Sequence, residues 1–262
     1  MAGRDLGGRP VVVKQVFGFL PADTVAGPTQ FRGSASMGQR SARWDLRATG
    51  AGEPLRPLRP AALYRAPLPR TKLEASIPDG LVSGTLEVSG QPVSVSGWRG
   101  TIGHNWGSEH ADSWVWLHAA GFGEAPDGWL ELVLARIKIG PARSPWTAMG
   151  ALSLGGEPIS LGGLGRRPRI DVHADRLEAG IPSPRSRLEL SVTTADSDAV
   201  VVAYADPSGG PRIVRHAALA AIDLTLHRHG EPGRTLSSSG GAYEYGTRQG
   251  IAGVTVEALP EG

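Results

Sequence analysis

Glycine and proline punctuate this chain so evenly that a long helix has almost nowhere to form. Of 262 residues, 37 are Gly and 21 are Pro, spread along the whole length. Inside a helix each Gly costs about 1 kcal/mol and each Pro about 3 kcal/mol relative to Ala. The apolar segments between them either alternate or run for roughly five to nine residues, which is the pattern of many strands joined by turns. Candidate strands include 11–17, 42–47, 81–88, 92–96, 114–122, 129–139, 147–154, 188–193, 200–206, 212–216 and 222–228. The sole helical candidate, 217–221, is too short to carry weight. The chain reads as all-β with well over eight strands, and its length permits one large domain or two smaller ones.

Two strand pairs can be drawn in detail. Ser89-Gly90 forms a two-residue turn that sets Leu86 opposite Val93. Val82, Leu86, Val88, Val93 and Val95 then share an apolar face, and Thr85, Glu87, Ser94 and Ser96 a wet one. Pro92, which has no N–H to give, marks an edge. In the second pair, 114–122 with 129–139, Trp114, Trp116, His118 and Phe122 share one face, with Val115, Leu117 and Ala119 behind them. A strand apolar on both sides is covered on both sides. Between these pairs and the N-terminal strands, 50–79 is rich in Pro and Arg and reads as a long ordered crossing or lid.

Charge excludes more than it suggests. Lys+Arg 27 against Asp+Glu 25 leaves a net charge of +2, too little field for a nucleic-acid or membrane partner. The run Arg166-Arg167-Pro168-Arg169 reads as a solvated turn. The absence of cysteine excludes disulfides, thiolate metal sites and Cys nucleophiles. The first residues carry no apolar run like a signal peptide, and no stretch approaches 18 consecutive apolar residues, so a cytoplasmic protein is expected.

The chemistry gathers mid-chain. Trp98, Trp106, Trp114 and Trp116 are four of seven tryptophans, and His104, His110 and His118 three of seven histidines. An indole must be packed while its N–H still finds an acceptor, so such a concentration marks either a core or a pocket wall. His104 with Asn105 and Trp106 reads either as a polar set lining an apolar cavity or as a hydrogen-bonded junction within the core. Glu109 would make a general acid if Trp rings desolvated it, and a solvated loop carboxylate otherwise. His118 is either a hydrogen-bonded wall residue or a proton donor to a ligand. The spacing of His104, Glu109, His110 and His118 fits neither zinc-helix pattern, so no metal is expected. No Gly-x-Ser-x-Gly, Gly-x-Gly-x-x-Gly or Walker fingerprint is present, so no hydrolase elbow and no nucleotide cofactor is expected.

Gly103-His104-Asn105-Trp106-Gly107, followed by Trp-x-Trp at 114–116, resembles the signature of the hydroxyneurosporene synthase (carotenoid 1,2-hydratase) and AttH-like group. That group is related to tocopherol cyclase and the lipocalin-type Diels–Alderases. The segments 64–72 and 161–168 look like a bacterial branch of it. The resemblance implies two consecutive lipocalin-like antiparallel β-barrels, an N-terminal lobe over 1–110 and a C-terminal barrel over 111–262. It implies an apolar isoprenoid- or polyketide-like ligand, and cofactor-free acid-assisted hydration, cyclisation or isomerisation. Two departures matter. Gly103 stands where the hydratases carry Asp, and strands expected upstream of residue 8 are missing, which would leave the first barrel incomplete. An open edge invites pairing with a second copy. On this reading His104, Glu109 and His118 are the proton-transfer candidates, and Asn105, Trp106, Trp114 and Trp116 line the ligand. A non-catalytic carrier and a structural protein pairing through its open edge are the alternatives.

Overall fold

Ser89 and Gly90 turn the chain with φ of 48° and 79°, the double positive φ that a two-residue hairpin with native twist requires. Around this turn, Val82, Leu86, Val93 and Val95 are buried as the alternation predicts, while Val88, beside the turn, is exposed. The computed structural model describes residues 2–4, 10–12, 25–27, 29–50, 52–204, 206 and 208–251. The chain divides into two units, 1–54 with 75–103 and 55–74 with 104–262.

The smaller unit opens with the short pair β1 (Ala2–Arg4) and β2 (Pro10–Val12); the rest of the strand expected over 11–17 lies outside the described residues. Its sheet runs β3 (Val25–Ala26), β4 (Gln30–Met37), β5 (Arg40–Gly50), β6 (Thr71–Val88) and β7 (Gln91–Gly107), in that order, with β3–β4, β4–β5 and β5–β6 antiparallel. Among the described residues the order is an open path, with no pairing between β3 and β7 to close it. Pro92 lies on β7, the last strand in this order, as an edge proline should. Leu46, Ala48, Val82, Leu86, Val93 and Val95 form the buried cluster, with Phe31, Trp44 and Trp98 packed against it.

In the larger unit, 55–70 is irregular apart from a single 3₁₀ turn at Ala61–Tyr64. The irregular stretch is shorter than expected, because Thr71 onward already belongs to β6. Buried Lys72 ties it down, donating from Nζ to the carbonyls of Ala66 (2.9 Å) and Pro69. The main sheet takes β8 (Ser113–Phe122), β9 (Ala125–Arg136), β12 (Thr147–Leu154), β13 (Ile159–Gly162), β14 (Arg169–Val172) and β15 (Arg176–Pro182). It is completed by β16 (Ser186–Thr194), β17 (Ala199–Tyr204), β18 (Arg212–Arg228) and β19 (Arg234–Thr247). A two-residue pair, β10 (Lys138–Ile139) with β11 (Ala142–Arg143), stands apart. The strand order is β13-β12-β9-β8-β19-β18-β16-β15-β14, with β17 also on β18. The sheet curls so that its ends approach: the Gly162 N–H donates to Ser183 Oγ, just beyond β15, at 3.0 Å. The fold is all-β and lipocalin-like, and the alanine run 217–221 lies inside β18, at a bulge against β19.

The concave side is filled. Val115, Leu117, Leu130, Leu132, Leu134, Leu188 and Ile222, among others, form one buried apolar cluster. Tyr243 is wholly buried within it, and its hydroxyl donates to the carbonyl of His173 at 2.7 Å. Since side chains alternate across a strand, Trp114, Trp116 and His118 occupy the other side of the sheet. Phe122 does not join them. Gly121 (φ +77°) sits at a bulge that shifts the register between Ala120 and Phe122, returning Phe122 to the apolar side.

Candidate functional site

On the face opposite the apolar core, the same three-part arrangement of indole, carboxylate and imidazole occurs twice. Antiparallel pairing sets His118 of β8 directly opposite Glu131 of β9. Glu131 Oε1 accepts from Trp116 Nε1 at 2.6 Å, and Oε2 lies 2.9 Å from His118 Nδ1. Pairing of β19 with β8 and β18 likewise sets Glu244 opposite both Trp116 and His216. Glu244 Oε1 accepts from Trp114 Nε1 at 3.0 Å, and Oε2 faces His216 Nδ1 at 3.3 Å and the Tyr204 hydroxyl at 3.2 Å. His118, Glu131, His216 and Glu244 are all buried, and burial pushes the Tyr204 hydroxyl well above its usual range.

The rings interleave. Trp116 is flanked by His118 and His216, each with centroids 6.2 Å away and planes within 9° and 17° of parallel. Trp114 stacks on His110 at 5.6 Å. The three imidazoles do not have equal partners. A carboxylate oxygen only accepts, so His118 Nδ1 carries a proton towards Glu131 and Nε2 points away from it. That Nε2 is buried and has no hydrogen-bond partner. A buried polar atom left unpaired costs about 1–3 kcal/mol, so it stands out on this face. Trp116 beside it is only half-buried.

Next to this face lies a charged hub. His110 reaches Asp206 Oδ2 with both its backbone N–H and ring Nδ1, each at 3.0 Å. Ser208 gives Oδ1 its N–H at 2.9 Å and its hydroxyl at 2.6 Å. Burial pushes the Asp206 carboxyl up, but these hydrogen bonds outweigh it and bring the group down to about 2. Arg212, fully buried, lies 3.0 Å from Asp206 and 3.7 Å from Glu109, and burial lowers its proton affinity. Because the folded state holds Asp206 below its ordinary 3.8, it contributes stability that is complete above that value and is lost as pH falls towards about 2. Urea unfolding of wild type and Asp206→Asn at stepped pH should show a gap that narrows by about 2 kcal/mol across this window. Parallel curves would contradict the assignment.

The candidates read from sequence separate into three groups. Trp114, Trp116 and His118 come together on the β8 face. His104, Asn105 and Trp106 lie exposed at the end of β7, where Trp106 (41% exposed) stacks on His104 at 5.4 Å and on Tyr64 at 6.1 Å. Glu109 is an ion-pair centre: Arg70 reaches its Oε2 at 2.5 Å, and Arg248 and Arg212 reach Oε1 at 2.6 and 3.7 Å. A cavity of about 20 Å³, room for one water, is lined by Arg70, Thr71, Glu109, His110 and Lys138 with apolar neighbours. Among the described residues, no group of three or more His, Cys, Asp or Glu is placed to hold a metal ion. No helix of the described residues is long and apolar enough to cross a membrane.

Sequence reasoning missed Glu131, Glu244, His216 and Tyr204. For Glu131 a signal existed: a lone carboxylate within the apolar run 129–135, on the side of the strand away from Leu130, Leu132 and Leu134.

No family model matches the chain. Over 259 residues it is 27% identical to Rv0493c and to MT0513, uncharacterised proteins from two strains of Mycobacterium tuberculosis, covering 94% of this chain and 74% of theirs. Among solved structures it is similar to kievitone hydratase from Nectria haematococca (TM-score 0.48, 11% identity, 84% of this chain and 65% of that one). It is also similar to a putative AttH from Nitrosomonas europaea (TM-score 0.45, 15% identity, 83% and 64%). The chain spans just under two thirds of the length of either.

Proposed function

We propose that the β8 face is a proton-transfer site acting, without a redox cofactor, on an apolar unsaturated small molecule, in hydration or ring closure. The observation that carries this reading is the buried His118 ring, oriented through Nδ1 by Glu131 and presenting an unpartnered Nε2 beside an indole. An imidazole fixed in one tautomer by a carboxylate is the general arrangement for moving a proton at the opposite nitrogen. Trp114 and Trp116 supply flat apolar surface, and His216 with Glu244 holds Trp116 from its other side. Glu109 and its arginines act at a distance on this reading, ordering the 108–112 connection that leads into β8.

The first experiment is mass spectrometry of lipophilic material carried through native purification, paired with Trp-fluorescence quenching by prenyl and polyene compounds. With a ligand so identified, His118→Gln is expected to lower turnover at least tenfold while leaving affinity within a factor of a few. Unchanged turnover removes His118 from the chemistry. The filled concave side of the larger unit favours a second reading, a ligandless structural protein; absence of both co-purified ligand and quenching would select it.

A further inference from the structure

We infer that the larger unit docks peripherally on an anionic lipid surface, through an exposed patch of apolar and cationic side chains: Leu68, Arg70, Lys138, Ile139, Arg143 and Arg248. Docking of this kind is independent of the chemistry proposed for the β8 face.

The patch is assembled around the small cavity, whose wall sets Leu68 and Arg70 beside Ile137 and Lys138. Ile137 leads into the β10–β11 pair, where Lys138 lies opposite Arg143 and Ile139 opposite Ala142, across a Gly140-Pro141 turn. That hairpin is pinned at its base. The Ser144 N–H donates to the carbonyl of Ile137 at 2.8 Å, and the Ile137 N–H donates to Ser144 Oγ at 3.0 Å. Beyond the base, all of 138–143 is exposed. Ile139, beside the turn, is 51% exposed, and Leu68 is 37% exposed. An aliphatic side chain held in water at a protruding turn adds nothing to the core of its own protein. Apolar groups exposed within a polar rim mark a contact surface.

The charges select the partner. Arg70 and Arg248 pair with Glu109, and Arg143 pairs with Asp112. In each pair the cation lies outermost: the three arginine side chains are 57%, 36% and 40% exposed, against 15% for Glu109 and 3% for Asp112. Lys138, exposed on the hairpin, adds a fourth cation. The patch therefore turns positive charge outwards and keeps its carboxylates beneath. The net charge of +2 is an average over the whole chain and does not describe what a surface meets here. Cations around aliphatic side chains fit an anionic bilayer, whose phosphates pair with the rim while the apolar groups enter the interface. A bilayer also accepts a protruding apolar tip anywhere along its surface, whereas an acidic protein would need a pocket shaped to receive it.

The test is flotation of the full chain with vesicles of phosphatidylcholine alone, or of phosphatidylcholine and phosphatidylglycerol in equal parts. Binding should be confined to the mixed vesicles and should fall as salt is raised. Each cation near such a surface is worth about fivefold in partition, so Lys138→Glu, a change of two charges, should weaken binding about twenty- to thirtyfold. Ile139→Ser should weaken it at least about threefold while leaving the salt dependence unchanged. Arg167→Glu makes the same change of charge in the exposed turn between β13 and β14, and should leave binding within about twofold of wild type. Lys138 and Ile139 are both exposed, so their variants should unfold in urea as wild type does. No binding to the mixed vesicles, an Arg167→Glu loss as large as that of Lys138→Glu, or full binding by Ile139→Ser would overturn docking through this patch. Retention on polyglutamate without vesicle binding would overturn it too, in favour of an acidic protein.

Discussion

Replacing Glu131 by leucine should be among the most damaging single changes in this protein, although the two side chains are close in size. The carboxylate accepts from the Trp116 indole and holds the His118 ring, in a position only 5% exposed. Leucine offers neither group an acceptor. Each orphaned buried donor costs about 1–3 kcal/mol, so Glu131→Leu is expected to destabilise the fold by about 2–5 kcal/mol in urea unfolding. Glu131→Gln keeps one acceptor oxygen and should cost less. A double variant, Glu131→Leu with His118→Leu, should be less destabilised than the sum of the two single changes, because it removes donor and acceptor together. If Glu131→Leu unfolds within about 0.5 kcal/mol of wild type, the bonds drawn around it do not hold the face together.

A comparable effect is expected where a side chain would have to share space with an indole. Gly246 lies directly opposite Trp114 in the β19–β8 pairing. A Cβ built on it would fall 2.2 Å from Cε2 and Cζ2 of the Trp114 ring, a separation that packed carbons do not tolerate. Gly246→Val must therefore drive the indole out, breaking its bond to Glu244 and its stack on His110. Overpacking combined with a lost buried hydrogen bond should cost about 2–4 kcal/mol. The displaced tryptophan should also show as a red shift in fluorescence. Shrinking the neighbour at the same time, with Trp114→Ala, should recover part of the loss. A Gly246→Val protein with wild-type stability and emission would mean that Trp114 does not lie across that glycine.

What the sequence disclosed follows the range of the interaction concerned. The Ser89-Gly90 hairpin was readable because its geometry is set by adjacent residues, and the shared face of Trp114, Trp116 and His118 because alternation is a local property of a strand. Phe122 escaped because one bulge at Gly121 reverses the alternation. The alanine-rich 217–221 suggested a helix, but pairing with β16, β17 and β19 overrides so weak a local preference. The first part of β6 was hidden by the proline-rich run before it, together with Pro78 and Gly80 inside it. The carboxylates were least visible. Glu131 is 15 positions from the Trp116 it binds and Glu244 is 130 from Trp114, and only the register of the sheet brings them together. The pairing of His104 with the tryptophans of β8 was an inference from closeness in sequence. The chain instead leaves His104 and Trp106 exposed at a strand end.

The way the two units divide the polypeptide restricts how such a protein can arise or be taken apart. One unit is drawn from 1–54 and 75–103, the other from 55–74 and 104–262, so no single scission separates the two with both intact. A crossover between genes at any one breakpoint would split at least one unit between the descendants. Lineages carrying this architecture should therefore inherit the pair as one block, and recombination that reshuffles modules in other multidomain families should be seldom tolerated here.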